Sequence, residues 1–266
     1  MNITAVIIAT AVVAGVGLLV GILLGVVGKV FEVEIDEKEV QIRELLPGNN
    51  CGGCGYAGCD ALAAAIAKGE APASGCPVGG AAVAAEIAKI TGGEVDETRY
   101  VAFVHCGGTN DAAGQKYIYS GHMNCREAAT MVGGGPKACS YGCLGLGSCV
   151  EACQFDAIKI VNGVSVVDKE ACKGCGACAK ACPRGLIDLV PYEAKVLVRC
   201  SSKDKGKDVM GVCKAGCIGC SMCAKLSGGA VTMNGNIPVV DYAGEIPEEK
   251  LEMLTSKCPK KCIIKS

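Results

Sequence analysis

The chain opens on an uninterrupted apolar run. Ile3 to Val27 is mostly Val, Ile, Leu, Ala and Gly, carries no charge and shows no polar face at helical spacing. As a helix, a run of this length extends about 37 Å, enough to cross a bilayer. A soluble core helix is rarely apolar all round over such a length. A secretory signal would want a basic residue before the run and a small-residue cleavage site after it, and neither is evident. The pattern therefore predicts a transmembrane anchor over residues 1–28. Gly17, Gly21 and Gly25 recur at small-xxx-small spacing, which suits close packing against other membrane helices. No basic residue precedes the span, whereas Lys29, Lys38 and Arg43 follow it, so the carboxyl side is expected in the cytoplasm. Glu32, Glu34, Asp36 and Glu37 are intermixed there but weigh little in that rule.

Beyond the span the periodic signals are short. Asp36-Glu37-Lys38-Glu39 predicts a helix start, with Asp36 as N-cap and Glu39 completing a capping box. That helix should stop near Pro47-Gly48. An Ala-rich helix is expected between Cys59 and Cys76. Tyr100 to Val104 is a candidate strand inside a Gly- and Thr-rich stretch, 93–137, expected as a linker. Residues 157–167 alternate around Asn162-Gly163 and predict a β-hairpin. Net charge is −1 and no basic stripe asks for nucleic acid; with 4% aromatics and no Trp, little is available for base stacking.

Cysteine changes the picture, with 21 in 266 residues. A disulfide scaffold would be short and secreted. Here Cys172-x2-Cys175-x2-Cys178-x3-Cys182-Pro183 is the bacterial ferredoxin run for [4Fe–4S] ligation, in which the fourth cysteine serves the other cluster of a pair. Zinc sites use separated pairs or histidine, and His105 and His122 are the only histidines. Cys51-x2-Cys54-x4-Cys59-x16-Cys76 supplies four thiolates for a separate cluster, with zinc as its alternative. The G-x-G-x-x-G match at Gly53 to Gly58 follows a proline turn and is interleaved with these cysteines, so no dinucleotide site is expected, and no P-loop is found.

In the central region Cys143, Leu146, Cys149 and Cys153 fall on the motif positions, with Leu146 where a ligand belongs and Gln154 in place of proline. Cys139 is the expected substitute. The exchange rule then assigns one cluster to Cys139, Cys143, Cys149 and Cys182, and the other to Cys153, Cys172, Cys175 and Cys178. The pattern repeats without gaps: Cys213, Cys217, Cys220, Cys223 and Ser227 lie on Cys139, Cys143, Leu146, Cys149 and Cys153. Counting back from Cys258-Pro259 gives Leu254, Leu251 and Glu248. With Ser227 these are the four ligand positions of one cluster, and none holds cysteine. One cluster is expected from Cys217, Cys220, Cys223 and Cys258. Cys106, Cys125, Cys200, Cys213 and Cys262 remain, either as buried free thiols or, for the first four, as a further cluster.

The predicted class is α+β: a single transmembrane helix, a small [4Fe–4S] domain at 29–92, the linker at 93–137, and two ferredoxin-like modules of duplicated βαβ type at 138–191 and 192–266, the second degenerate. The residues alone describe an anchored electron carrier with about four clusters by ligand count. A membrane-tethered redox sensor, or reductase of a regulatory protein, is the alternative.

The uncharged span, the Cys51-Cys54-Cys59-Cys76 motif and the following two-cluster run together resemble the B subunit of Rnf complexes, the ion-translocating ferredoxin:NAD oxidoreductases. Stretches such as Cys143-Leu144-Gly145-Leu146-Gly147-Ser148-Cys149 and Cys213-Lys214-Ala215-Gly216-Cys217 resemble its longer form. The resemblance covers essentially the whole chain. It implies a translocase component at the inner (cytoplasmic) membrane, single-pass with its bulk in the cytoplasm. Such a protein takes electrons from soluble ferredoxin and relays them, through the partner A, C, D, E and G subunits bearing flavin and further clusters, to NAD, coupled to Na⁺ or H⁺ transport. The resemblance also implies membrane lipid as a partner, no nucleic acid, and no direct NAD or flavin site on this chain.

Overall fold

The computed structural model describes residues 3–30, 36–93, 98–244 and 246–266. Glu32 and Glu34, and residues 94–97 of the expected linker, lie outside the described residues. The architecture mixes helices with four separate two-stranded antiparallel sheets.

Helix α1 (Ile3–Val30) covers the apolar run, and its large side chains, such as Leu18 at 69% and Leu19 at 66%, stand exposed. It is the one described helix long and apolar enough to cross a membrane. Gly17, Gly21 and Gly25 have open space around them.

Next come α2 (Glu37–Leu45), α3 (Cys59–Ala67) and α4 (Gly80–Thr91), packed around Ile42, Leu62, Ile66 and Ile87. Asp36 caps α2 as expected, but its carboxylate accepts from the Lys38 amide at 2.9 Å rather than from that of Glu39.

Strand β1 (Tyr100–Val104) pairs antiparallel with β2 (Ile187–Pro191), Tyr100 opposite Pro191. The 93–137 stretch thus contributes a strand to the central region, and it adds helix α5 (Cys125–Thr130), N-capped by Asn124. The expected hairpin forms from β3 (Ile158–Val161) and β4 (Val164–Val167). Its turn residues Asn162 and Gly163 have φ of 48° and 74°, the left-handed pair that a two-residue turn between twisted strands requires. Short helices α6 (Ser148–Glu151) and α7 (Ala177–Ala181) follow the cysteine loops, and a shared core of Val101, Ile158, Val164, Leu186 and Val190 also takes in Cys143, Cys149, Cys172 and Cys178.

The carboxyl-terminal region has the same ingredients. Strand β5 (Val196–Val198) pairs with β6 (Ile263–Lys265), and β7 (Val231–Asn234) with β8 (Ile237–Val240). Helices α8 (Gly206–Val212) and α9 (Met222–Ser227) flank its cysteine loop, and α10 (Glu248–Lys257) buries Leu251 and Leu254 completely. Those leucines stand at two of the ligand positions that lack cysteine. Ser227, at a third, is buried and ties down its own turn: its hydroxyl accepts from the Val231 amide at 3.0 Å and donates to the Ala224 carbonyl at 3.1 Å. Apolar packing fills this half.

Candidate functional site

The amino-terminal cysteines sit on a loop and two helix starts. Cys51 and Cys54 lie on the loop before α3, Cys59 is the first residue of α3, and Cys76 lies just before α4. The Cys59 amide donates to Asn50 Oδ1 at 2.8 Å, which fixes the loop against the helix end. The Gly79 amide donates to Cys76 Sγ at 3.4 Å. Burial pushes the Cys76 thiol above its ordinary value, and Cys59 and Cys54 push it the same way, so these three sulfurs lie within electrostatic reach of one another.

Cys51 faces the next loop. The Cys175 thiol is raised by burial and, among its neighbours, by Cys51, Cys153 and Cys172. Gly53 backs directly onto Cys175: a Cβ there would lie 2.7 Å from the Cys175 carbonyl oxygen. Lys180 Nζ also donates across this contact, to the Gly52 carbonyl at 3.4 Å. The signature loop is held from its other side by β1. The Ala102 amide donates to Cys172 Sγ at 3.3 Å, and Gly174, at φ 66°, passes so near the Tyr100 carbonyl that no side chain fits.

Cys143, Cys149 and Cys182 line one cavity, and the fourth cysteine there is Cys125, not Cys139. Burial pushes the Cys149 thiol up to about 11, with Cys143, Cys125 and Cys182 adding to the rise. Cys125 heads α5, its amide donating to Ser148 Oγ at 2.8 Å, and it packs with Leu144 and Leu146. The helix thus delivers a thiol beside the leucine that stands at the ligand position. Cys139 is directed elsewhere, to a cavity it shares with Cys106, Cys200 and Cys213.

Burial pushes the Cys178 thiol up to about 12, with Cys172 and Cys175 next in effect and Cys149 also contributing. The two central cysteine groups therefore adjoin. Cys182 sits with Cys143 and Cys149, and Cys153 acts on Cys175.

At the carboxyl-terminal end Cys217, Cys220, Cys223 and Cys258 line one cavity together with Cys262. The Cys258 and Cys262 sulfurs are 3.6 Å apart. Hydrogen bonding with Cys262 holds the Cys217 thiol down at about 7 and the Cys258 thiol down at about 5, and raises that of Cys262. Cys262 stands four residues after Cys258, as buried Leu186 stands after Cys182. The amide of Leu186 donates to Cys182 Sγ at 3.5 Å, and that of Cys262 likewise bonds Cys258.

These sets fit [4Fe–4S] clusters in chemistry. Their donors are all-sulfur, and the Cys143 and Cys217 sets line cavities of closely similar size, about 350 and 360 Å³, shielded by apolar residues. Among the described residues no three His, Cys, Asp or Glu side chains close in tightly enough to grip a single metal ion. Buried thiols held neutral must release protons on ligation.

Residues 46–78 match the family model for a putative Fe-S cluster, and residues 165–188 that for a 4Fe-4S binding domain. Over 258 residues the chain is 43% identical to the B subunit of the ion-translocating oxidoreductase complex of Methanosarcina acetivorans, spanning 95% of this chain and 96% of the relative. The chain belongs to this B-subunit family. It is also 43% identical over 250 residues to the Acetobacterium woodii B subunit of a complex named as an Na⁺-translocating ferredoxin:NAD⁺ oxidoreductase, covering 93% of this chain and 74% of that one. With the Clostridium ljungdahlii B subunit, whose complex is named as proton-translocating, it shares 41% over 233 residues, 86% and 81% of the two chains. As a member of this family, the protein is a [4Fe–4S]-carrying component of an oxidoreductase complex, and α1 makes it membrane-associated.

Proposed function

We propose that this B subunit accepts electrons from reduced soluble ferredoxin and relays them to partner subunits of an Na⁺- or H⁺-translocating ferredoxin:NAD oxidoreductase. The observation that carries the reading is adjacency: Cys51 acts on Cys175, and Cys149 acts on Cys178, so the amino-terminal and the two central thiolate sets abut rather than stand apart. The sets are Cys51, Cys54, Cys59 and Cys76; Cys125, Cys143, Cys149 and Cys182; Cys153, Cys172, Cys175 and Cys178; and Cys217, Cys220, Cys223 and Cys258. A [4Fe–4S] cluster bound by each supplies one-electron uptake and release. The chain's residues hold the iron, exclude water with their apolar neighbours, and aim backbone amides at ligand sulfurs, as Ala102 does at Cys172.

The division follows from the same residues: an anchor, a small cluster domain, and two ferredoxin-like modules, with β1 joined to the first. The anchor crosses the inner membrane once with the clusters on the cytoplasmic side, where reduced thiols persist. Its glycine stripe packs against membrane partners among the A, C, D, E and G subunits. Flavin and NAD are handled by those partners.

Removal of residues 1–28 tests the reading. The truncated chain should purify soluble and cluster-loaded, and should still be reduced by reduced ferredoxin. It should not restore ferredoxin-driven NAD reduction to membranes lacking the full-length protein. A loaded protein that ferredoxin cannot reduce would refute the donor assignment. Restoration to the full-length level would show the helix dispensable for assembly.

A further inference from the structure

We infer that Cys106, Cys139, Cys200 and Cys213 hold an additional [4Fe–4S] cluster, seated between the central and carboxyl-terminal modules. Each comes from a separate segment. Cys106 follows β1, Cys139 precedes the Cys143 loop, Cys200 follows β5 and Cys213 closes α8. All four are buried and all four line one cavity of about 360 Å³, the size of the cavities lined by Cys125 and Cys143 and by Cys217 and Cys220. Gly108 marks how near two of the sulfurs come. A Cβ there would lie 3.5 Å from Cys213 Sγ and 3.6 Å from Cys106 Sγ.

The site is built twice over, once from each repeat. Cys139 stands four residues before Cys143, and Cys213 four before Cys217. The Cys143 amide donates to Cys106 Sγ at 3.3 Å, and the Cys217 amide donates to Cys200 Sγ at 3.2 Å. A second amide two residues on serves each sulfur, Gly108 at 3.4 Å for Cys106 and Ser202 for Cys200. Free buried thiols do not call for matched pairs of amide donors; thiolates of a cluster do, because amide bonds to ligand sulfur offset its charge.

A second observation points to an anion. Lys137 lines the cavity at 3% exposure, and among the described residues its ammonium makes one hydrogen bond, a 3.4 Å contact to the Gly163 carbonyl. Among the described residues no carboxylate lies within ion-pair distance of it. A buried ammonium without a counter-charge is costly, and a thiolate-ligated cluster supplies that charge. His105 also lines the cavity but is committed elsewhere, Nδ1 to the Val198 carbonyl at 2.8 Å and Nε2 to Asp188 at 3.2 Å, which leaves an all-sulfur donor set. With this set counted, five groups of four account for every cysteine except Cys262.

The position gives the site its meaning. The residue whose amide bonds Cys106 is itself a ligand of the central module, and the residue whose amide bonds Cys200 is a ligand of the carboxyl-terminal one. The cradle spans the junction between them. The inference rests on the cluster reading of the other four sets, and the test separates the two. Full-length protein purified in detergent without oxygen should carry five clusters by native mass spectrometry and about twenty iron and twenty sulfide per chain. Cys139→Ser and Cys213→Ser should each lower iron and sulfide by about four and remove one component from the Mössbauer spectrum. About sixteen iron in the unaltered chain, or one tightly bound zinc lost in Cys139→Ser, overturns this site and leaves the other four standing. A chain with no iron at all would sink the electron-transfer reading as well. The count on the unaltered chain decides the matter even if a variant fails to fold.

Discussion

Gly53→Ala should loosen the junction between the amino-terminal cluster domain and the signature loop. Gly53 takes no positive φ, so alanine brings no backbone strain and acts only through its methyl group. That methyl would meet Cys175 at 2.7 Å from its carbonyl oxygen, 2.9 Å from its Cβ and 3.1 Å from its Cα. Real side chains do not approach backbone so closely, and the Cys175 loop cannot yield, because Cys172 is pinned by the Ala102 amide and Gly174 is pressed on Tyr100. The domains must part by several tenths of an ångström or more, and overpacking of this kind costs about 1–3 kcal/mol. At about 1.4 kcal/mol per tenfold, the docked arrangement should lose roughly five- to 140-fold in its equilibrium.

The assay is magnetic coupling between the reduced clusters of the Cys51 and Cys175 sets, read by EPR, with amide hydrogen exchange over residues 50–58 and 172–176 alongside. Gly53→Ala should keep its iron, weaken the coupling and speed exchange on both faces. Gly55→Ala is the control. Gly55 has φ 91° but nothing within 4 Å of its would-be Cβ, so alanine there strains its own loop without touching Cys175. Unchanged coupling and exchange in Gly53→Ala, or equal separation in Gly55→Ala, would refute the steric argument.

Two further outcomes follow from the same geometry. Cys125→Ser and Cys182→Ser should each disturb the cluster shared with Cys143 and Cys149, costing about four iron per chain, and leave the signal of the Cys172 group intact; Mössbauer spectra in which the Cys172 component changes instead would defeat the crossed assignment. Leu251→Ala, at a position fully buried in the carboxyl-terminal core, should cost about 2–5 kcal/mol on denaturant unfolding of that region without changing iron content. Loss of iron in parallel with stability would show that the leucines and the Cys217 set are not separable supports.

Local features were legible in the sequence because local chemistry decides them. The apolar run, the Asp36 cap, the Asn162-Gly163 turn and the Tyr100–Val104 strand depend on neighbours a few residues away. The place of Cys125 in the Cys143 cavity was not legible, since α5 reaches that cavity through a fold that sequence spacing does not encode. Substituting Cys139 for Leu146 used nearness in the chain where nearness in space was required. The repeat did contain the corrective signal. Cys213 is the counterpart of Cys139, yet its own half already has cysteine at Cys220, the counterpart of Leu146. A residue present whether or not that position is filled is not its substitute. It answers to some other demand, and the cavity shared with Cys106 and Cys200 is where both residues go.

On the proposed cluster assignment, the two halves handle a missing thiolate in different ways, and the difference is physical. Where one ligand position holds Leu146, three cysteines remain, and three thiolates leave one iron of a cube without its protein ligand; a fourth thiol from another segment restores the set, and Cys125 stands there. Where all four positions lack cysteine, no partial set is left to complete. The volume is then free for carbon, and Leu251 and Leu254 occupy it at 0% and 1% exposure, with Ser227 bonded to its own turn. Buried leucine stabilises by about 1.5–3 kcal/mol per side chain, so a small region that gives up a whole cluster recovers part of its stability from packing, whereas one that gives up a single ligand recovers nothing until another sulfur arrives. This is why replacing one ligand should cost a cluster, and why the carboxyl-terminal core tolerates lacking an entire set.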